Sequence, residues 1–153
     1  MPEGCVFCDH DYLRGAAEVY LENEHCAYAS TRDPRDPRDP PDVLPGCGVI
    51  VPLAHRHSPF DFTPEEWTAT HGLLLAAKKE WDERLAPDGY TLIWTCAAAG
   101  DQEGAHAHLH VIPRFDDEPL AGAGGRSAIK VPANRHPEPF ARGNGRAARF
   151  GRR

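Results

Sequence analysis

His106-Ala107-His108-Leu109-His110-Val111-Ile112-Pro113-Arg114 decides the fold of this 153-residue chain. Three histidines alternate with small or apolar residues, and a hydrophobic pair follows. Side chains of a β-strand point alternately to opposite faces. A strand over 106–112 therefore puts His106, His108 and His110 on one face and Ala107, Leu109 and Val111 on the other. Imidazoles two residues apart on that face lie roughly 6.5–7 Å apart, near enough to share one phosphate or one metal. Pro113 lacks a ladder donor and is expected to mark the strand end. The plain alternative is a histidine-rich surface strand or metal-binding tract. The apolar filling and the closing Pro-Arg argue against it.

Working outward, Tyr90-Thr91-Leu92-Ile93-Trp94-Thr95 reads as the preceding strand, with 97–103 as the turn between the two. Thr63-Pro64-Glu65-Glu66 opens a helix: Thr at the N-cap, Pro in the first turn, Glu at the third position. Trp67, Leu74, Trp81 and Leu85 fall near one helical stripe, and Pro87-Asp88-Gly89 ends the element. Gly48-Val49-Ile50-Val51-Pro52-Leu53 is an apolar run of strand type. Residues 17–21 and 25–29 read as a hairpin across Glu22-Asn23-Glu24. Between them and residue 48, Arg32-Asp33-Pro34 is repeated twice more, through Pro40. Proline at every third position excludes helix and central strand, so an extended loop is expected.

Cys5-Val6-Phe7-Cys8 aims two thiols at one point, as in half of a tetrahedral zinc site. A redox pair has the same spacing, but no strand precedes this one, which disfavours a thioredoxin-type motif. Two more ligands would have to come from histidines. Five cysteines without disulfide-framework spacing suit a reducing, cytoplasmic compartment. We read no signal peptide and no membrane span. The net charge of -6 hides an asymmetry: all acidic residues lie at or before Glu138, and Arg142, Arg146, Arg149, Arg152 and Arg153 follow it. An acidic body argues against general nucleic-acid binding. The Gly/Arg-rich end is expected to be a solvated, disordered tail.

His106-Ala107-His108-Leu109-His110-Val111-Ile112 resembles the histidine triad signature, His-φ-His-φ-His-φ-φ with φ apolar. The resemblance runs from about Cys5 to Asn134. It implies an α+β histidine triad fold over residues 1–134: an antiparallel sheet of about five strands, one long helix and a short N-terminal helix. Residues 135–153 form the tail. Members are nucleotidyl hydrolases and transferases, usually homodimers, in which the middle histidine attacks a nucleotide α-phosphate. Carried over, His108 is the nucleophile, and His110 and Gln102 hold the phosphate oxygens. The attacking nitrogen must be unprotonated, so the other nitrogen of His108 should donate to a backbone carbonyl.

A strand ending in Pro-x-x-His resembles the family's approach to a histidine eight residues before Thr63, which is His55; His57 is its rival. With Cys5, Cys8 and His106 it completes a closed Cys2His2 set, the pattern of structural rather than catalytic zinc. Zinc-free members use the first triad histidine for hydrogen bonding alone. Counting back six from Pro45 puts the family's ribose-holding aspartate at Asp39, with Asp33 and Asp36 competing. Departures are Cys47 for a histidine, Thr95 for Asn or Gln, Glu103 for Ser or Thr, and Gly104 for Val; they leave the nucleophile but blur the leaving group. The implied function is hydrolysis of a dinucleoside polyphosphate, nucleoside phosphoramidate or similar conjugate. A nucleotidyltransferase and a non-catalytic, zinc-stapled nucleotide-binding protein are the alternatives.

Overall fold

The computed structural model describes residues 4–32, 42–100, 102, 105–125, 130 and 132–134. The Arg-Asp-Pro loop with Asp33, Asp36 and Asp39, and the tail from 135 to 153, lie outside the described residues. The chain divides into two units, Met1–Ala121 and Gly122–Arg153. The second contributes a 3₁₀ turn, Pro132–Asn134. The first holds the sheet and both helices.

A 3₁₀ turn, Val6–Cys8, leads into helix α1, His10–Ala16, whose first turn is capped by the Asp9 carboxylate accepting from the Tyr12 N–H. Strands β1 (Tyr20–Glu22) and β2 (Cys26–Ser30) form the hairpin, and β3 (Gly48–Pro52) follows. Helix α2, Pro64–Leu85, is the long one. Strands β4 (Gly89–Trp94) and β5 (Leu109–Arg114) complete an antiparallel sheet ordered β1-β2-β3-β5-β4. The α+β architecture is the one the sequence implied. No helix is long and apolar enough to cross a membrane among the described residues.

Helix α2 starts as its sequence dictates. The Thr63 hydroxyl accepts from the Glu66 N–H while the Glu66 carboxylate accepts from the Thr63 N–H, a reciprocal cap. Its buried stripe is Glu66, Thr70, Leu73, Ala77 and Trp81; of the expected Trp67, Leu74, Trp81 and Leu85, Trp81 is at its centre and Leu74 and Leu85 pack at its margin. Trp67 is 44% exposed. The stripe packs on Cys26, Tyr28, Ile50, Leu109 and Val111, the sheet face that α2 covers. Trp81 anchors it: its indole Nε1–H donates to the Tyr28 hydroxyl at 2.6 Å, and Trp81 is 1% exposed. The opposite face of β2 and β3 packs Ala27, Ala29 and Val51 against Leu13 of α1.

Two expectations for the triad stretch need correction. The strand begins at Leu109, so His106, Ala107 and His108 precede it, and all three are buried. Alternation starts only inside β5, where Leu109, Val111 and Pro113 are buried and His110, Ile112 and Arg114 are half-exposed. Pro113 lies within β5 opposite Tyr90 rather than ending it. It is tolerated because pairing with β3 stops at Val111, leaving only β4 alongside. The hairpin is also displaced: residues 17–19 lead into β1 instead of forming it.

Candidate active site and metal centre

The segment before β5 is held by main-chain bonds rather than by the sheet. The Ala107 N–H, between two triad histidines, donates to the Arg56 carbonyl at 2.7 Å. Arg56 is itself fixed: its guanidinium donates from Nε and Nη2 to the Glu66 carboxylate at 2.9–3.1 Å. Burial pushes the Glu66 carboxyl up, but Arg56 and the Thr63 N–H pull it further down, so it is held below its ordinary range. The N-terminus of α2 thus locks the 55–57 segment, and that segment locks the chain between His106 and His108.

Cys5, Cys8, His55 and His106 converge, with one donor atom from each lying within 4.8 Å of the others. Cys8 Sγ is 3.3 Å from His55 Nδ1 and 3.4 Å from His106 Nδ1; Cys5 Sγ is 3.5 Å from His106 Nδ1. Sulfur and nitrogen ligands on a tetrahedral zinc, with bonds of about 2.3 and 2.0 Å, would be separated by about 3.5 Å. The tautomer fits as well. His106 Nε2 is 3.0 Å from the Pro52 carbonyl, which can only accept, so the proton sits on Nε2 and the Nδ1 lone pair faces the sulfurs. Burial pushes the His106 imidazole down to about 4, so it is neutral, as a ligand must be. Burial also pushes the Cys8 thiol up, with Cys5 adding to the effect, so a thiolate there needs a cation beside it. These four residues fit a structural zinc that ties the N-terminus to the triad. The rival His57 is exposed and its ring stands 5.1 Å from that of His55, outside the cluster.

His108 carries the opposite tautomer. Its Nδ1 is 2.9 Å from the His106 carbonyl, which can only accept, so Nδ1 donates there and, in the neutral ring, Nε2 carries the lone pair. The ring is 4% exposed. The His110 ring lies 4.8 Å away at 74°, and the Phe7 ring 4.8 Å away at 34°. Gln102 is engaged with backbone: its Oε1 accepts from the Ala97 N–H at 2.6 Å and its Nε2 donates to the His57 carbonyl at 2.8 Å. The amide nitrogen has two protons, and the His57 carbonyl takes one.

Beside His110 is a hollow of about 140 Å³ lined by Ala29, Thr31, Asp42, Cys47, Val49 and Ile112, among others. Asp42 is in that lining; Asp39, which the resemblance implies for ribose, lies outside the described residues. Burial, then Asp42, pushes the Cys47 thiol up to about 12, so Cys47 is a neutral wall of that hollow. The structure brings His106, His108 and His110 together with the metal donors, and puts Gln102 on the adjoining turn.

No family model matches the chain. An uncharacterised HIT-like protein of Methanocaldococcus jannaschii is 26% identical over 114 residues, 74% of this chain and 81% of that one. Among solved structures, a HIT family protein from Bacillus anthracis superposes with a TM-score of 0.66 at 21% identity, covering 99% of both chains. A Zn-bound histidine triad family protein from Mycobacterium smegmatis gives 0.57 at 24% identity, over 78% of this chain and 81% of that one. Plasmodium falciparum diadenosine triphosphate hydrolase gives 0.56 at 18% identity, over 66% and 63%. Sheet order, triad stretch and these likenesses lead to one conclusion: the chain has the fold of the HIT family proteins, and a stretch that resembles the histidine triad signature runs into its fifth strand.

Proposed function

We propose that the chain is a nucleotide hydrolase that attacks the α-phosphate of a dinucleoside polyphosphate, nucleoside phosphoramidate or similar conjugate through His108. The observation that carries this reading is the tautomer of His108. With Nδ1 engaged by the His106 carbonyl, Nε2 is the ring nitrogen left to attack, in the neutral form of the imidazole. Nε2 attacks the α-phosphorus, and the bond from phosphorus to the leaving oxygen or nitrogen breaks. The leaving group departs with the bonding pair and takes a proton from solvent. Water then attacks the nucleotidyl-histidine; the phosphorus–nitrogen bond breaks and His108 is restored.

His110 and the second amide proton of Gln102 are assigned to the phosphate oxygens, where charge grows in the transition state. For the ribose hydroxyls, the resemblance implies Asp39, while Asp42 is the carboxylate in the hollow beside His110. The zinc supplies cross-linking, not activation of water, because its four donors come from the protein. Free cysteines suit a reducing, cytoplasmic setting. We assign the homodimer that the resemblance implies to β4, the edge strand among the described residues, where Leu92 is 48% exposed and Trp94 meets Trp67. Trp81 is core and offers no surface for such a contact. A monomer in sedimentation at micromolar concentration would remove that assignment.

The experiment is single-turnover labelling with an α-phosphate-labelled substrate. Wild type should acquire an acid-labile, base-stable label, and His108→Gly should acquire none while keeping its zinc. Passage of the label to a phosphate acceptor rather than water would make the chain a transferase. A His108→Gly protein turning over at the wild-type rate would leave a zinc-stapled nucleotide-binding protein.

A further inference from the structure

The turn between the two zinc thiolates carries an aromatic ring. Phe7 lies between Cys5 and Cys8, both metal donors, and its centroid is 4.8 Å from that of His108, the planes tilted by 34°. It also meets the His106 ring edge-on at 5.9 Å. Its other neighbours are in the core cluster of Leu13, Ala27, Ala29 and Val51, so the ring is braced from behind.

The constraints on His108 can be counted. The Nδ1–H bond to the His106 carbonyl sets the tautomer and anchors one ring atom. A ring anchored at one atom still pivots about it. Two neighbours limit the pivot: His110, nearly perpendicular at 74°, and Phe7, closer to parallel. His110 is half-exposed on β5 and is assigned to substrate. Phe7 directly precedes Cys8 and follows Cys5 by two residues, so it sits on the turn between the two thiol donors.

We propose that Phe7 is a positioning residue, which holds the His108 imidazole in its attacking orientation and so relays the order of the zinc site to the nucleophile. The proposal rests on the hydrolase reading for its kinetic consequence, but not for its structural one. Zinc fixes Cys5 and Cys8, the short turn fixes Phe7, and Phe7 limits the swing of His108. His106 reaches the same imidazole through its carbonyl. The metal centre would then act on the nucleophile by two routes, neither of which needs the ion near substrate.

The test uses zinc-loaded, full-length wild type, Phe7→Leu and Phe7→Tyr. Nuclear magnetic resonance reads the His108 side-chain couplings and the ring-current shift of its carbon-bound protons. Wild type should show one rotamer and an upfield shift; Phe7→Leu should lose the shift and average the couplings at one zinc per chain; Phe7→Tyr should restore both. Labelling by diadenosine triphosphate and by adenosine 5′-phosphoramidate should fall roughly two- to tenfold in Phe7→Leu, the range an aromatic contact is worth, with KM unchanged. A fixed rotamer or a wild-type labelling rate in Phe7→Leu overturns the proposal. So does a raised KM at constant kcat, which would make Phe7 a substrate contact. If Phe7→Leu binds less than one zinc, Phe7→Met is read in its place. If wild type is labelled by neither probe, the hydrolase reading fails and the couplings alone decide for or against Phe7.

Discussion

Replacing Tyr28 by Phe removes one oxygen from the centre of the molecule, and its cost can be worked out. The Tyr28 hydroxyl accepts from the Trp81 indole N–H at 2.6 Å and lies 3.4 Å from the Gly46 carbonyl. Tyr28 and Trp81 are among the largest fully buried side chains. Burial pushes the Tyr28 phenol up, so it stays neutral and both donates and accepts. A hydrogen bond exchanged evenly for water is worth about 1 kcal/mol, whereas a buried donor left without a partner costs about 1–3 kcal/mol. Tyr28→Phe leaves the Trp81 N–H in that second position. The expected loss of roughly 1–3 kcal/mol corresponds to a fall in melting temperature of roughly 2–12 °C for a chain of this size. Trp81→Phe should also destabilise, but less in the Tyr28→Phe background than in wild type, because the stranded donor is then gone. The assay is urea unfolding of the four proteins at saturating zinc, closed as a thermodynamic cycle. Costs that add to within about 0.3–0.5 kcal/mol, the limit expected of independent sites, would refute the claim that this bond pins α2 to β2.

The other expectations concern the site. Wild type should hold about one zinc per chain, and Cys8→Ala or His106→Ala should lose both the metal and several degrees of thermal stability; His57→Ala should keep both, as elemental analysis and calorimetry will show. His110→Ala should slow labelling by about 10²–10³, the worth of one stabilising donor, and leave it detectable; complete loss would give His110 a share in the covalent step itself.

Much of this molecule can be read from the chain because its signals are local. Thr63 and Glu66 are three residues apart, and the reciprocal cap follows from that spacing. The Cys-x-x-Cys turn and the His-x-His-x-His stretch are equally short. The start of β5 was not legible because strand alternation assumes a sheet, and the chain at His106–His108 answers instead to the metal donors, the Pro52 carbonyl and the Arg56 carbonyl. The α2 stripe was read only in part by favouring large apolar residues: Trp81, Leu74 and Leu85 meet the core, but small Thr70 and Ala77 also face the sheet, and Glu66 is buried because Arg56, ten residues away, meets it. Gly48 shows the same limit. Its sequence context says only strand, yet a Cβ there would fall 2.6 Å from the Tyr28 hydroxyl, so the side chain is excluded by a residue twenty positions back. Phe7 over His108 is a contact across about a hundred residues that no spacing rule encodes.

The length of chain between the zinc donors has a consequence during synthesis. Cys8 and His106 are 98 residues apart, and at roughly 5–20 residues per second the ribosome makes the last donor about 5–20 s after the second thiol. Until His55, 47 residues after Cys8, is made, the two thiols hold half a coordination sphere, and until His106 the set is one donor short; any oxidant that joins Cys5 to Cys8 in that interval removes half of the donor set before it is complete. The yield of native protein from a translating system should therefore depend on when reductant is present, not only on how much metal is added at the end.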